Sequence, residues 1–292
     1  MDLNLPRSAV DPVVRETRTA YRSLMGGGFA DLRRMPSEVI FDEPKCTVHR
    51  YEPTAPADPD ALPVLLIPPM AATPVCFDLR RGCSMVEFLL DTGRPTYLVD
   101  YGDISTLRDQ DLGLEFWIDT VLPDAINSVL ADSGARGVHL VGWCLGGILE
   151  MFTAAAHPDL PIVSVTSVAS PFDFGKVRVL GPVRIMEDLT GGILTTGLVR
   201  ALGGIPGRLN GLIYRWLDPV KQIKKPLLQL QSRDDPDTLA QIEAVDVLMD
   251  TMEAYPGRSI SQIYHSLIRT NRFSEGQLVL KGGRVVELDD VT

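Results

Sequence analysis

The run Gly142-Trp143-Cys144-Leu145-Gly146-Gly147 constrains this chain more than any other stretch. It follows the largely apolar Val138-His139-Leu140-Val141 and opens onto an apolar segment of helical character. A strand, a Gly-x-Cys-x-Gly turn and a helix, in that order, describe a nucleophile elbow. The turn is sharp, so a side chain at either flanking glycine would collide with the adjoining strand or helix. Cys144 is then expected in a strained backbone conformation with its sulfur projecting from the sheet edge. A cysteine nucleophile works as thiolate and needs a base or a positive field, part of which a helix amino end supplies.

An elbow needs a sheet beneath it, and the chain provides one. Val64-Leu65-Leu66-Ile67, ended by Pro68-Pro69, reads as a strand buried on both faces, and so do Thr96 to Val99, Val138 to Val141 and Ile162 to Ala169. Helix-like segments lie between them: Ser84 to Asp91, Asp111 to Leu130, and Leu145 to His157 with its stop at Pro158. That alternation predicts an α/β fold with a mostly parallel sheet and the nucleophile at the carboxyl ends of its strands.

Three regions follow from this pattern. Residues 1–44 read as a polar, partly helical lead-in interrupted by Gly26-Gly27-Gly28, and 45–174 as the core, beginning with a strand from Cys46 to Tyr51. Residues 175–292 read as a cap followed by a hairpin. In that region Asp235-Pro236 starts a helix, with Asp as N-cap, that sends Ile242, Val245, Leu248, Met249 and Met252 to one side. A second helix from Ser259 carries Ile260, Ile263, Tyr264, Leu267 and Ile268. Leu278 to Leu280 and Arg284 to Leu288 form the arms of the hairpin.

A formal charge of −10 argues against nucleic-acid binding, which needs a Lys/Arg surplus on some face. The four cysteines contain no CxxC pair, and no metal site is expected. No signal peptide is visible, and no apolar run approaches the roughly 18 residues needed to cross a bilayer. Thiols without an export signal fit a reducing cytoplasm.

Gly142-Trp143-Cys144-Leu145-Gly146-Gly147 resembles the cysteine-containing lipase box of polyhydroxyalkanoate synthases, members of the α/β-hydrolase superfamily. The likeness continues in order through Leu66-Ile67-Pro68-Pro69, Phe77-Asp78-Leu79-Arg80, Ser84 to Leu89 and Tyr97-Leu98-Val99-Asp100-Tyr101. It extends to Asp173-Phe174, Asn271 and Gly283 to Leu288, and so covers residues 45–292. Met70 departs from the pattern, since such synthases more often carry Trp or Cys there. The resemblance implies an α/β-hydrolase fold with a helical cap and a Cys-His-Asp triad acting on 3-hydroxyacyl-CoA. The Cys144 thiolate would displace CoA, and the hydroxyl of a growing polyester would attack the acyl-cysteine. CoA thioester is then substrate and no cofactor is needed. Leu145 is the natural backbone donor to the oxyanion, joined by Met70 or Ala71. The implied partners are the polyester chain and a second copy or second synthase subunit, and the implied location is the cytoplasm, at the polyester granule surface.

In that family the acid and histidine lie on loops after two further strands, beyond the segment matched by Gly283 to Leu288. The resemblance therefore implies that the last sheet strands and two triad members are missing from this sequence. A rival arrangement reads Lys225 to Asp235 as a strand ending in a catalytic acid, Asp235, with His265 as base. His265 sits in a helical pattern and Asp235 also suits an N-cap, while Asp173 is a further candidate acid. His49, His139 and His157 read as strand, core-edge and helix-end residues. Two functional alternatives stand beside the acyltransferase: a Cys-dependent thioesterase or esterase using water, and a non-catalytic protein that binds an acyl ligand or a synthase subunit.

Overall fold

A computed structural model describes residues 28–56, 58, 60–173, 176, 197, 201–216, 219–232 and 234–290. The lead-in up to residue 27 and Gly26-Gly27 therefore lie outside the described residues. Six strands form one sheet: β1 (Ser37–Glu43), β2 (Cys46–Tyr51), β3 (Val64–Ile67), β4 (Thr96–Asp100), β5 (Val138–Trp143) and β6 (Ile162–Val168). Their spatial order is β1-β2-β4-β3-β5-β6. β4, β3, β5 and β6 are mutually parallel, whereas β2 runs antiparallel to both its neighbours. This is the mostly parallel α/β sheet expected from the alternation of apolar runs.

β3 explains why a short apolar run occupies the middle. All four of its residues are buried. Leu65 and Ile67 pack on one face with Trp117, Leu122, Ile126, Ile148 and Phe152. Val64 and Leu66 pack on the other with Met35, Phe77, Val86, Leu90 and Leu98. A two-residue side-chain period with helices on both faces leaves no position for a polar residue. The covering helices are α1 (Met85–Asp91), α2 (Leu122–Ser133) and α3 (Leu145–Ala156). Ser84 caps α1 by accepting from Glu87 N at 3.1 Å. α2 is entered through a short helical piece, Leu114–Phe116, and a π-turn, Trp117–Val121.

Two expectations change at the sheet edges. The stretch read as the end of a helical lead-in contains β1, which pairs with β2 from Ser37↔Tyr51 to Glu43↔Cys46. β1 is mostly exposed, so it lacks the apolar run that marks the inner strands. β6, read as buried on both faces, is an outer strand with Val163 52% and Val168 41% exposed.

The cap region begins, among the described residues, with β7 (Gly204–Ile205), followed by α4 (Gly207–Trp216), α5 (Pro219–Gln231) and α6 (Pro236–Asp250). β8 (Tyr255–Pro256) pairs antiparallel with β7 and leads into α7 (Gly257–Ile263), which continues as a π-turn over Tyr264–Arg269. Lys225 to Gln231, read in the rival arrangement as a strand, is helical. Ile223, Leu227 and Leu230 recur there at helical spacing, and that period prevails over the local resemblance to a strand. α6 is capped by Asp235 as expected. It buries Leu239, Ala240, Ala244 and Leu248; of the face expected, Leu248 is buried and Ile242, Val245, Met249 and Met252 are half-buried. β9 (Gln277–Val279) and β10 (Val285–Glu287) form the anticipated hairpin, with Val286 opposite Leu278.

The cap is fastened to the core at polar contacts. The Arg80 guanidinium, 8% exposed as a residue, donates to Gln241 Oε1 at 3.0 Å and Asp237 Oδ1 at 2.9 Å on α6. Trp117, wholly buried, donates from Nε1 to Ser259 Oγ at 3.1 Å on α7, and Ser259 Oγ donates onward to Leu112 O at 2.7 Å.

Candidate active site

β5 ends at Trp143 and α3 begins at Leu145, so the whole reversal falls on Cys144. Its backbone sits at φ 54°, ψ −116°, a conformation that a residue with a Cβ adopts only under constraint. Three neighbours impose it. Cys144 N donates to Val168 O on β6 at 2.8 Å. A Cβ on Gly142 would lie 2.5 Å from Gly147 N, and one on Gly146 would lie 2.7 Å from Pro68 O. The two glycines thus allow α3 to fold back against β5 and against the exit of β3. The strand, the sharp turn at Cys144 and the helix that follows lie at the positions expected from the sequence.

The thiol is half-buried. Burial pushes its pKa above the ordinary thiol value, and the Leu145 N–H directed at it recovers part of that shift. Cys46 and Cys76 are also raised by burial, Cys46 to about 12, while Cys83 is exposed. Exposure alone therefore does not single out Cys144; its backbone does.

The loop after β3 carries Met70 and Ala71, both fully buried. Tyr101 Oη donates to Pro68 O at 3.1 Å, Ala72 N to Pro69 O at 2.9 Å, and Glu253 N to Ala71 O at 2.8 Å. These bonds fix the loop while leaving the Met70 and Ala71 N–H groups without an acceptor among the described residues. A cavity of about 500 Å³ opens beside this loop and is lined by Met70, Ala72, Tyr101 and Glu253 among others.

The rival triad partners have other occupations. The Asp235 carboxylate accepts from Thr238 N at 3.1 Å and from Thr238 Oγ1 at 2.7 Å, and these bonds hold its pKa below the usual carboxylate value. His265 is exposed on the π-turn after α7, and its carbonyl accepts from Thr270 N at 2.9 Å. Among the described residues no hydrogen bond joins Asp235, His265 and Cys144. Asp173 accepts from Asn271 Nδ2 at 3.0 Å and pairs with Lys176, which joins two of the segments that carried the sequence resemblance. His49 lies in β2 beside Asp100, His139 in β5 bonds Ser164 Oγ at 2.7 Å, and His157 ends α3 against Asp119. No cluster of His, Cys, Asp or Glu among the described residues could hold a metal ion.

Two features escaped the sequence reading. Glu150 on α3 is completely buried, and burial pushes its carboxyl up to about 8 against the pull of Ser167 and the Gly142 N–H. A glutamate within the apolar stretch from Leu145 to Ala156 was the available signal. The second is a pair of phenols from the cap, Tyr214 and Tyr255, whose hydroxyls meet at 3.2 Å. Both are raised by burial first, and both also respond to the charge of Cys144. Their separation in sequence concealed the pairing.

No family model matches the chain. It is 24% identical over 280 residues to the poly(3-hydroxyalkanoate) polymerase subunit PhaC of Allochromatium vinosum, covering 95% of this chain and 77% of that protein. The same subunit from Synechocystis sp. is 26% identical over 260 residues, covering 88% and 68%. Among solved structures, the mature lipase BlEst2 of Bacillus licheniformis matches 46% of this chain and 50% of its own, with 19% identity and a TM-score of 0.35. An alpha/beta hydrolase fold protein from Chitinophaga pinensis matches 55% and 53%, with 20% identity and a TM-score of 0.34. The sequence likeness to poly(3-hydroxyalkanoate) polymerase subunits thus runs over most of this chain, and its sheet order, with a strand, a sharp turn and a helix at Cys144, is that of the α/β-hydrolase fold.

Proposed function

We propose that this protein is an acyltransferase of the polyester-synthase type that works through an acyl group held on Cys144. The observation that carries the reading is the strained Cys144 between two close-packed glycines, in a chain related to poly(3-hydroxyalkanoate) polymerase subunits. The Cys144 thiolate attacks the carbonyl carbon of a 3-hydroxyacyl-CoA thioester. Negative charge moves to the carbonyl oxygen, where Leu145 N–H and an N–H from Met70 or Ala71 receive it. Collapse expels the CoA thiolate and leaves an acyl-cysteine. A hydroxyl at the end of a polyester chain then attacks that thioester, its proton passes to a base, and the sulfur leaves as thiolate. Exchange of one thioester for another is nearly balanced in energy, which suits cysteine better than serine. The reaction draws on no bound cofactor, and the acyl-CoA and the polyester are its small-molecule and polymer partners.

The test is incubation with a radiolabelled 3-hydroxybutyryl-CoA, followed by mass spectrometry of the Cys144 peptide and recovery of polymer. An acyl adduct with chain growth is expected, and both are lost in Cys144→Ala. Free acid and CoA without polymer would instead establish a hydrolase. One observation favours a non-catalytic acyl-binding reading: no imidazole bonds Cys144 among the described residues. Acyl-CoA binding with no adduct at any pH would establish that reading. His265→Ala and Asp235→Ala are expected to leave adduct formation unchanged, and a loss of more than about tenfold in either would restore the rival triad.

A further inference from the structure

Glu150 and Ser167 meet beside the turn that carries Cys144. Glu150 lies on α3 and is fully buried, and Ser167 lies on β6. Ser167 Oγ is 2.9 Å from Gly147 O and 3.2 Å from Glu150 Oε1, so one hydroxyl touches the start of α3 twice. The glycines of the turn make room for this contact. A Cβ on Gly142 would lie 2.7 Å from the Glu150 carboxyl carbon, and one on Gly147 would lie 2.7 Å from Ser167 Oγ. Ser167 also precedes Val168, whose carbonyl accepts from Cys144 N at 2.8 Å. The contact to α3 and the bond that holds the strained Cys144 backbone therefore fall on adjacent residues of one strand.

The protons of this contact can be counted. Ser167 has one hydroxyl proton and two acceptors beside it. With the carboxyl ionised, both acceptors compete for that proton. With the carboxyl protonated, Glu150 donates to Ser167 Oγ, Ser167 donates on to Gly147 O, and each proton is used once. Burial pushes the Glu150 carboxyl up to about 8, which favours the second arrangement at neutral pH. We propose that Glu150 is a positioning residue: through Ser167 it pins the start of α3 to β6 and so holds Cys144 in its reactive conformation. The inference rests on reading Cys144 as the nucleophile. Leu145 N–H is directed at the sulfur only while the turn keeps its shape, so releasing Gly147 O weakens the stabilisation of the thiolate. Glu150 acts through the backbone and takes no proton from the thiol.

The test reads the thiol itself and needs no substrate. Alkylation by iodoacetamide is followed at neutral pH by peptide mass spectrometry, with the exposed Cys83 as reference and the buried Cys46 as reporter of an intact core. Glu150→Leu removes the donor and leaves an apolar side chain, and Ser167→Ala removes the bridge. Glu150→Gln keeps a neutral side chain whose amide donates to Ser167. Relative to Cys83, Cys144 is expected to react about fivefold more slowly in Glu150→Leu and in Ser167→Ala, while Glu150→Gln stays within about twofold of wild type. Because Leu removes a desolvated carboxyl, the melting temperature of Glu150→Leu should not fall with the rate, as a merely structural role would require. Unchanged Cys144 rates in Glu150→Leu and Ser167→Ala would overturn the proposal, and so would a Glu150→Gln variant as slow as Glu150→Leu. Slower alkylation with a matching loss of melting temperature in both would overturn it too. Should Cys46 react in Glu150→Leu, its core has opened and Ser167→Ala decides alone. Acyl-CoA loading is scored separately on the wild-type chain. A missing adduct there would count against the polymerase-type reading and leave the alkylation rates to decide the role of Glu150.

Discussion

At the residue scale the elbow is governed by close approaches to backbone. Gly146→Ala would place a methyl against Pro68 O and against the exit of β3, neither of which can yield as a side-chain tip would. Despite the better helix propensity of alanine, this variant is expected to lose about 1–3 kcal/mol in denaturant titration. An equal or higher midpoint would show that α3 can shift away from β3. Glu150 gives a second prediction. Its folded pKa, about 8, is raised from the ordinary 4.5, so the folded chain retains a proton that the unfolded chain releases between those values. The penalty is absent below about 4.5, grows as pH rises and levels off above about 8, with a slope of at most about 1.4 kcal/mol per pH unit. Glu150→Gln should flatten that dependence and make the chain more stable than wild type at pH 8 to 9. Parallel stability-against-pH curves for the two proteins would refute the assignment.

At the scale of elements, polar contacts between distant segments hold the cap over the core. The Trp117 Nε1 to Ser259 Oγ bond at 3.1 Å joins the π-turn before α2 to α7. Trp117→Phe is expected to cost about 2–3 kcal/mol, combining lost ring volume with the loss of the N–H that the Ser259 hydroxyl oxygen accepts. Ser259→Ala should cost about 1 kcal/mol, and a double-mutant cycle should give a coupling of at least about 0.5 kcal/mol. Strict additivity would mean that the bond contributes nothing. The inner strands β2, β3, β4 and β5 were legible in the sequence because burial on one or both faces leaves a mark in composition. β1 was not, because an exposed strand paired on one side is held by backbone bonds that any sequence supplies. α5 was misread in the rival arrangement for a related reason: Pro226 and a polar ending resembled the margins of a strand.

Across the whole molecule, the sheet presents β6 as an outer strand among the described residues, with Val163 and Val168 exposed. Such an edge is a template for pairing with another chain. Val163→Lys is therefore expected to lower self-association in sedimentation velocity, and unchanged behaviour would locate any self-association elsewhere. No helix among the described residues is long and apolar enough to cross a membrane. The sequence by itself determined the core strands, the helices that cover them and the place of Cys144. Those depend on local periodicity and on glycine spacing, both of which are written in consecutive residues. Only the tertiary structure decided what surrounds the sulfur. It made His265 an exposed residue, buried Glu150 in the helix after Cys144, and joined Tyr214 to Tyr255. Such contacts arise when distant segments pack together, and desolvation then sets the proton affinities, a quantity that no local pattern encodes.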